Sequence, residues 1–291
     1  MPTAARRRII FFLVLTYALS SIFYTLIISS GKMKALPTLG LMWCPGVAAL
    51  IVRLTTQRNL RGTGWGWGKT RWQVLSYLLP VGMGLVVYGI VWATGLGGLD
   101  PQGLIKRAYG IGSIPVILAI FATLGLLQGM VFALGEEIGW RGHLVPELAK
   151  TTSFTNTALI SGAAWSAYHY PLILFANYNN TGAPKWFALI AFTWMAIAAS
   201  FVFAWLRLKS GSLWTAVILH ASHNLFIQEI FDPLTKDRAM TKYLTTEFGV
   251  GLALVYTLAA WYFWRRRAEL PQAEAAVALA AVPAQVVPAA S

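Results

Sequence analysis

The sequence predicts an all-α polytopic membrane protein, with about eight transmembrane helices around an intramembrane polar cavity. Three observations predict it. Hydrophobic residues make up 57 % of the 291 residues and charged residues only 11 %, with a mean hydropathy of +0.61. Soluble domains hold about 45–50 % apolar and about 25 % charged residues, so no soluble surface can be assembled here. The apolar residues also fall into long runs, each near the ~20 residues that a helix needs to cross a bilayer. Finally, the ionisable residues that such a chain tolerates poorly are gathered in one stretch. All four histidines and three of the ten acids lie between Glu136 and His223.

The first run, 9–30, follows Arg6, Arg7 and Arg8 and so begins like a signal peptide. Its 22 residues are too long for an h-region, which is ~7–15 residues, and no A-x-A site follows, so it is read as a retained anchor. The second, 39–54, is short and contains Pro45, which predicts a kink or tilt. The others are 74–96, 114–134, 156–174, 186–208, 212–230 and 250–264. Between them, 57–69 with its Gly-Trp repeats reads as an interfacial cytoplasmic loop, because tryptophan prefers the head-group level. The loop 97–115 carries Lys106 and Arg107 but no motif. Residues 1–267 are expected to form one membrane domain with its core at about 114–231, and 268–291 a disordered Ala/Pro-rich tail. No internal repeat is evident.

The formal charge of +13 would raise nucleic acid as a partner in a soluble protein. Here the basic residues sit in short loops and at the ends of spans, where anionic head groups explain them and nucleic acid is excluded. Placing both termini in the cytoplasm leaves fifteen Lys and Arg inside and eight outside, the orientation the positive-inside rule favours. Cys44 is the single cysteine, so there is no intrachain disulfide and no thiolate metal cluster.

Within the polar stretch, Glu137 and Arg141 stand at i and i+4 on a helix and should pair. Glu136 points about 100° away, toward a different neighbour, and is the acid left for general-base chemistry. Trp165 and His169 are again i and i+4, which sets the indole beside the imidazole. His220 and Asn224 share one face of the seventh run, with Gln228 continuing it. Such a stripe is equally the glue of a helical bundle, and a lone buried histidine is more often a satisfied core residue. His143 and His223 have no assigned role, and Glu147 reads as an ordinary loop acid.

Glu-Glu-x-x-x-Arg at 136–141, Trp-x-x-x-His at 165–169 and His-x-x-x-Asn at 220–224, in that order on successive apolar runs, resemble the CPBP family of intramembrane endopeptidases. That family includes the CAAX prenyl endopeptidases and proteins linked to bacteriocin processing and self-immunity. The three motifs cover about 90 residues of the core. Trp165 stands where the family usually has Phe, and the Gly-Trp-Arg-Gly run at 139–142 is similar to the bacterial branch. The resemblance implies that Glu136 and His169 activate a water and that His220 and Asn224 bind the oxyanion. Glu137, Arg141 and Trp165 then support them. It further implies a peptide or membrane-protein substrate, prenylated or bacteriocin-like, reaching the cavity from the cytoplasmic side or laterally, in a bacterial cytoplasmic (inner) membrane.

No cofactor is certain. His-Glu-x-x-His, the helical zinc-protease signature, is missing, yet Glu136, His169 and His220 could still form a zinc site with one open position. Two other functions remain open on the residues alone. One is a catalytically silent immunity or interaction factor using the same cavity; the other is a proton-coupled transporter with Glu136 and His169 as a relay.

Overall fold

The computed structural model describes residues 3–178 and 181–271. Long helices follow the apolar runs. They are α1 (Thr3–Ser30), α2 (Ala35–Thr56), α3 (Thr70–Ala93), the short α4 (Pro101–Arg107), α5 (Ile114–Ala149), α6 (Phe154–Phe175) and α7 (Lys185–Ser210). Next comes α8, which is α-helical over Trp214–His223 and π-helical over Asn224–Phe231. The short α9 (Thr241–Leu244) and α10 (Val250–Arg265) complete the set. Two residues of strand, Gly98–Leu99 (β1), pair antiparallel with Thr235–Lys236 (β2) and tie two loops together.

Five helices, α1, α2, α3, α5 and α7, are long and apolar enough to cross a membrane. The other three expected runs are helical but fall short of that standard for different reasons. Polar residues including Ser161, Ser166 and His169 lower the apolarity of α6, the α-helical part of α8 has only 10 residues, and α10 has 16. The outer surface is oil: Val14, Leu124, Ile190 and Leu258 are each more than 60 % exposed. The chain is an all-α polytopic membrane protein. Of the expected tail, 268–291, the part from 272 onward lies outside the described residues. Its start forms a 3-10 turn, Arg267–Glu269, whose Glu269 carbonyl accepts from Lys209 Nζ at 2.5 Å.

Pro45 lies inside α2 without ending it, and glycines let α2 meet α5 backbone to backbone. A Cβ on Gly46 would stand 2.6 Å from the Gly135 carbonyl oxygen, and one on Gly139 would stand 2.5 Å from Pro45. Small residues at such crossings are the usual device of membrane bundles, where dispersion at close range replaces hydrophobic drive. The close contact also holds the residues beside these glycines, Glu136 and Glu137, at a fixed depth.

The bundle has two unlike ends. At the first, Arg8 at the start of α1 pairs with Glu147 at the end of α5 (2.6 Å), and Arg207 at the end of α7 donates to the carbonyls of Gly62 and Thr63. Glu147 is therefore not the loop acid expected: it is fully buried on a helix and shared between Arg8 and Lys150. At the second end, Arg238 donates to Gly95 O, Thr241 to Leu96 O, and Arg107 pairs with Glu229.

Asp232, in the loop after α8, is pushed up to about 7 from its ordinary 3.8, by burial first and then by the charges of Asp237 and Glu247. The folded chain thus keeps this proton where the unfolded chain has lost it. Stability from this group is fully present below pH 3.8 and is lost as the pH rises to about 7. Asp232→Asn should flatten that decline. Thermal midpoints taken from about pH 5 to about pH 8 should fall less in the variant than in the parent, and parallel slopes would contradict the assignment.

Candidate functional site

A cavity of about 130 Å³ lies in the bundle, and Glu136, Trp165, His169, His220 and Asn224 all line it. These residues come from α5, α6 and α8, three helices that the sequence separates by up to 88 positions. The structure brings together every residue named as catalytic from the sequence.

Glu136 is buried, and its Oε2 accepts from two indoles, Trp165 Nε1 at 2.9 Å and Trp140 Nε1 at 3.2 Å. It is thus a held carboxylate rather than the free one expected. Trp140 is one turn along the same helix, so its contribution was legible as i and i+4; the donation from Trp165 crosses between helices and was not.

Glu137 pairs with Arg141 at 2.8 Å, as the spacing predicts. The same Oε1 also receives His220 Nδ1 at 2.8 Å. A carboxylate only accepts, so Nδ1 carries the hydrogen and Nε2 is turned to the other side of the ring. Arg141 is fully buried, its guanidinium 4.1 Å from the Phe203 ring centroid and 4.3 Å from that of Trp165. Aromatic faces replace the water that this cation has lost.

His169 Nδ1 lies 2.9 Å from the carbonyl of Trp165. A carbonyl also only accepts, so the neutral ring has its hydrogen on Nδ1 and its lone pair on Nε2, as a base requires. Trp165 stands between the two imidazoles, with ring centroids 5.9 Å from His169 and 5.6 Å from His220. Asn224 begins the π-helical part of α8, and a second π turn, Trp140–Leu144, follows Glu136 and Glu137. Such wide turns leave carbonyls without their regular partners, and they recur at functional sites. In the second turn the carbonyls of Gly142 and Arg141 accept from Arg53 Nη2 (2.8 Å) and Arg207 Nε (3.0 Å).

Two histidines without an assigned role separate here. His143 is buried against the Phe12 ring, away from the cavity, and neither ring nitrogen has a hydrogen-bond partner among the described residues. His223 lines the cavity, its Nδ1 held by Tyr256 OH at 2.9 Å. Facing it is Glu247, whose Oε2 is 3.7 Å from His223 Nε2 and accepts from Gln228 Nε2 at 3.0 Å. The sequence reading missed Glu247 and Tyr178, both cavity residues in loops that look merely connective. An acid three residues before the last apolar run was the one available signal.

The zinc alternative fits this arrangement poorly. Among the described residues, no three His, Cys, Asp or Glu side chains are grouped closely enough to hold a metal ion. One oxygen of Glu136 is occupied by indoles, and one nitrogen of each imidazole by an acceptor.

Comparison with known proteins meets this geometry in the same stretch. Residues 115–226 match the family described as Type II CAAX prenyl endopeptidase Rce1-like. This core is Rce1-like. It contains all three motifs and every residue placed above on the cavity between α5 and the middle of α8. A curated relative, CAAX prenyl protease 2 of Methanococcus maripaludis, is 31 % identical over 94 residues, which span 31 % of this chain and 34 % of the relative. The match thus covers about a third of the relative's length. It is carried by the Rce1-like core.

Proposed function

We propose that the chain is an intramembrane endopeptidase of the CAAX-protease type, cleaving peptide bonds with a water activated by Glu136 and His169. The observation that carries this reading is the convergence of one held carboxylate and two imidazoles of opposite duty on one buried cavity. The Rce1-like match over 115–226 supports it.

In this mechanism the substrate carbonyl lies between the water and α8. Glu136 and the Nε2 lone pair of His169 take the water proton as the oxygen attacks the carbonyl carbon. The resulting oxyanion meets the Asn224 amide and His220, which protonated on Nε2 becomes an imidazolium whose charge Glu137 offsets through Nδ1. The C–N bond then breaks, and the proton taken from water passes to the leaving amine. Trp165 and Trp140 orient the carboxylate, and Arg141 holds Glu137. No step needs a metal.

The test is cleavage by purified protein in reconstituted membranes. The substrates are prenylated CAAX peptides, which the relative's name points to, bacteriocin-type peptides and a library of membrane-protein segments. Parent protein should cleave at least one class, and a chelator should leave the rate unchanged. Asn224→Ala should lower kcat by about 10²–10³-fold, as loss of one oxyanion donor does, with little change in KM. Chelator-sensitive cleavage would overturn the metal-free mechanism. Cleavage unaffected by Asn224→Ala would remove Asn224 from it.

A further inference from the structure

The cavity reaches only one end of the bundle, and it is not the end expected from the sequence. Its lining runs from Glu136, Trp165 and His220 to Met33, Tyr178 and Glu247. Those last three sit in the loops that follow α1, α6 and α9. A groove of about 540 Å³ shares Thr38, Met42, Asn224 and Gln228 with the cavity and continues past Phe121 and Phe132 to Ile111 in the loop after α4. Everything it touches belongs to the same half of the molecule.

Toward the opposite end the cavity has a floor. Trp140 and Arg141 are fully buried beneath it, Gly139 lies against Pro45, and Arg53 and Arg207 fasten the π turn from below. A path through this floor would have to open two backbone-to-arginine latches and a glycine crossing at once.

The charges assign the ends. Fifteen of the 23 lysines and arginines belong to the floor end, including Arg6–Arg8, Arg58, Arg61, Lys69 and Arg265–Arg267. Eight belong to the mouth end, where Asp100, Glu229, Asp232, Asp237 and Glu247 also lie. Lysine and arginine in short loops are retained in the cytoplasm. We infer that the cavity is served from the non-cytoplasmic side, and that its substrate is an extended, largely apolar peptide segment that has crossed the membrane or lies in its outer leaflet. The word substrate rests on the peptidase reading; the sidedness does not. The groove beside the cavity, with Met42, Phe121 and Phe132 along it, gives such a segment a lateral path from that leaflet.

The single cysteine makes the test direct. Cys44 is buried, so a Cys44→Ala background carrying one new thiol reports one position. Met33→Cys marks the mouth, with Ile111→Cys as a second mouth reporter should the first not fold, and Lys69→Cys marks the floor end. Intact spheroplasts are treated with a membrane-impermeant maleimide, then lysed and treated again. The expected result is labelling of Met33→Cys and Ile111→Cys before lysis and of Lys69→Cys only after it. The reverse pattern, or equal labelling of both ends in intact cells, overturns the inference, and a mouth thiol unreactive even after lysis overturns the open cavity. Labelling needs no cleavage, so a parent that cleaves nothing counts against the peptidase reading alone. Cleavage restricted to peptides supplied from the cytoplasmic side counts against the sidedness alone.

Discussion

Glu136→Gln abolishes peptide cleavage while leaving the bundle folded. The change keeps the shape of the side chain and an oxygen that accepts from the indoles of Trp165 and Trp140. It removes the charge and the basic lone pair. Loss of a positioned general base costs about 10²–10⁴-fold in rate, so kcat should fall by that factor with KM nearly unchanged. The control is the thermal midpoint in detergent, which should match the parent's. Parent-like cleavage by Glu136→Gln would sink the enzymatic reading and move weight to a silent interaction factor built on the same pocket.

The second large effect is on stability. Gly135→Ala places a Cβ 2.7 Å from the Met42 carbonyl oxygen and from Trp43 Cα, both belonging to the facing helix α2. Backbone cannot swing aside as a flexible side chain does, so α2 and α5 must separate. Overpacking of this kind costs roughly 1–3 kcal/mol, or more where backbone is the obstacle. The matched control is Gly82→Ala on α3, where an added Cβ meets nothing within 4 Å. There the substitution should be neutral or mildly stabilising, since alanine favours a helix by up to ~1 kcal/mol. Thermal unfolding of the two variants side by side decides it. Equal midpoints would mean that the glycine crossing is not what sets the depth of Glu136.

These expectations show which parts of the molecule the sequence exposes. Runs of apolar residues place the long helices because the bilayer imposes a length, and pairs at i and i+4 are visible because a helix imposes a period. Hence Glu137 with Arg141, and Trp165 with His169, could be read directly. Contacts between helices have no such period. That Glu137 also orients His220, 83 positions away, follows only from the packing of α5 on α8. The π turns at Trp140–Leu144 and Asn224–Phe231 leave no composition signal, since they differ from α-helix by one hydrogen-bond step. Glu147 looked like a loop residue because α5 runs on past the apolar stretch to Ala149. Glu247 was invisible because its importance comes from the fold of the loop and not from its neighbours in sequence.

The paired indoles on Glu136 give the carboxylate a handedness. With Trp165 and Trp140 both directed at Oε2, its two oxygens are no longer equivalent, although nothing in the covalent structure tells them apart. Any water this group prepares must be met by the remaining oxygen, and so approaches from one side of the carboxylate plane. The peptide has to offer a chosen face of its carbonyl in return. A chain threaded in the opposite direction would present the wrong face, so two tryptophans that never touch the substrate would dictate which way round it is read.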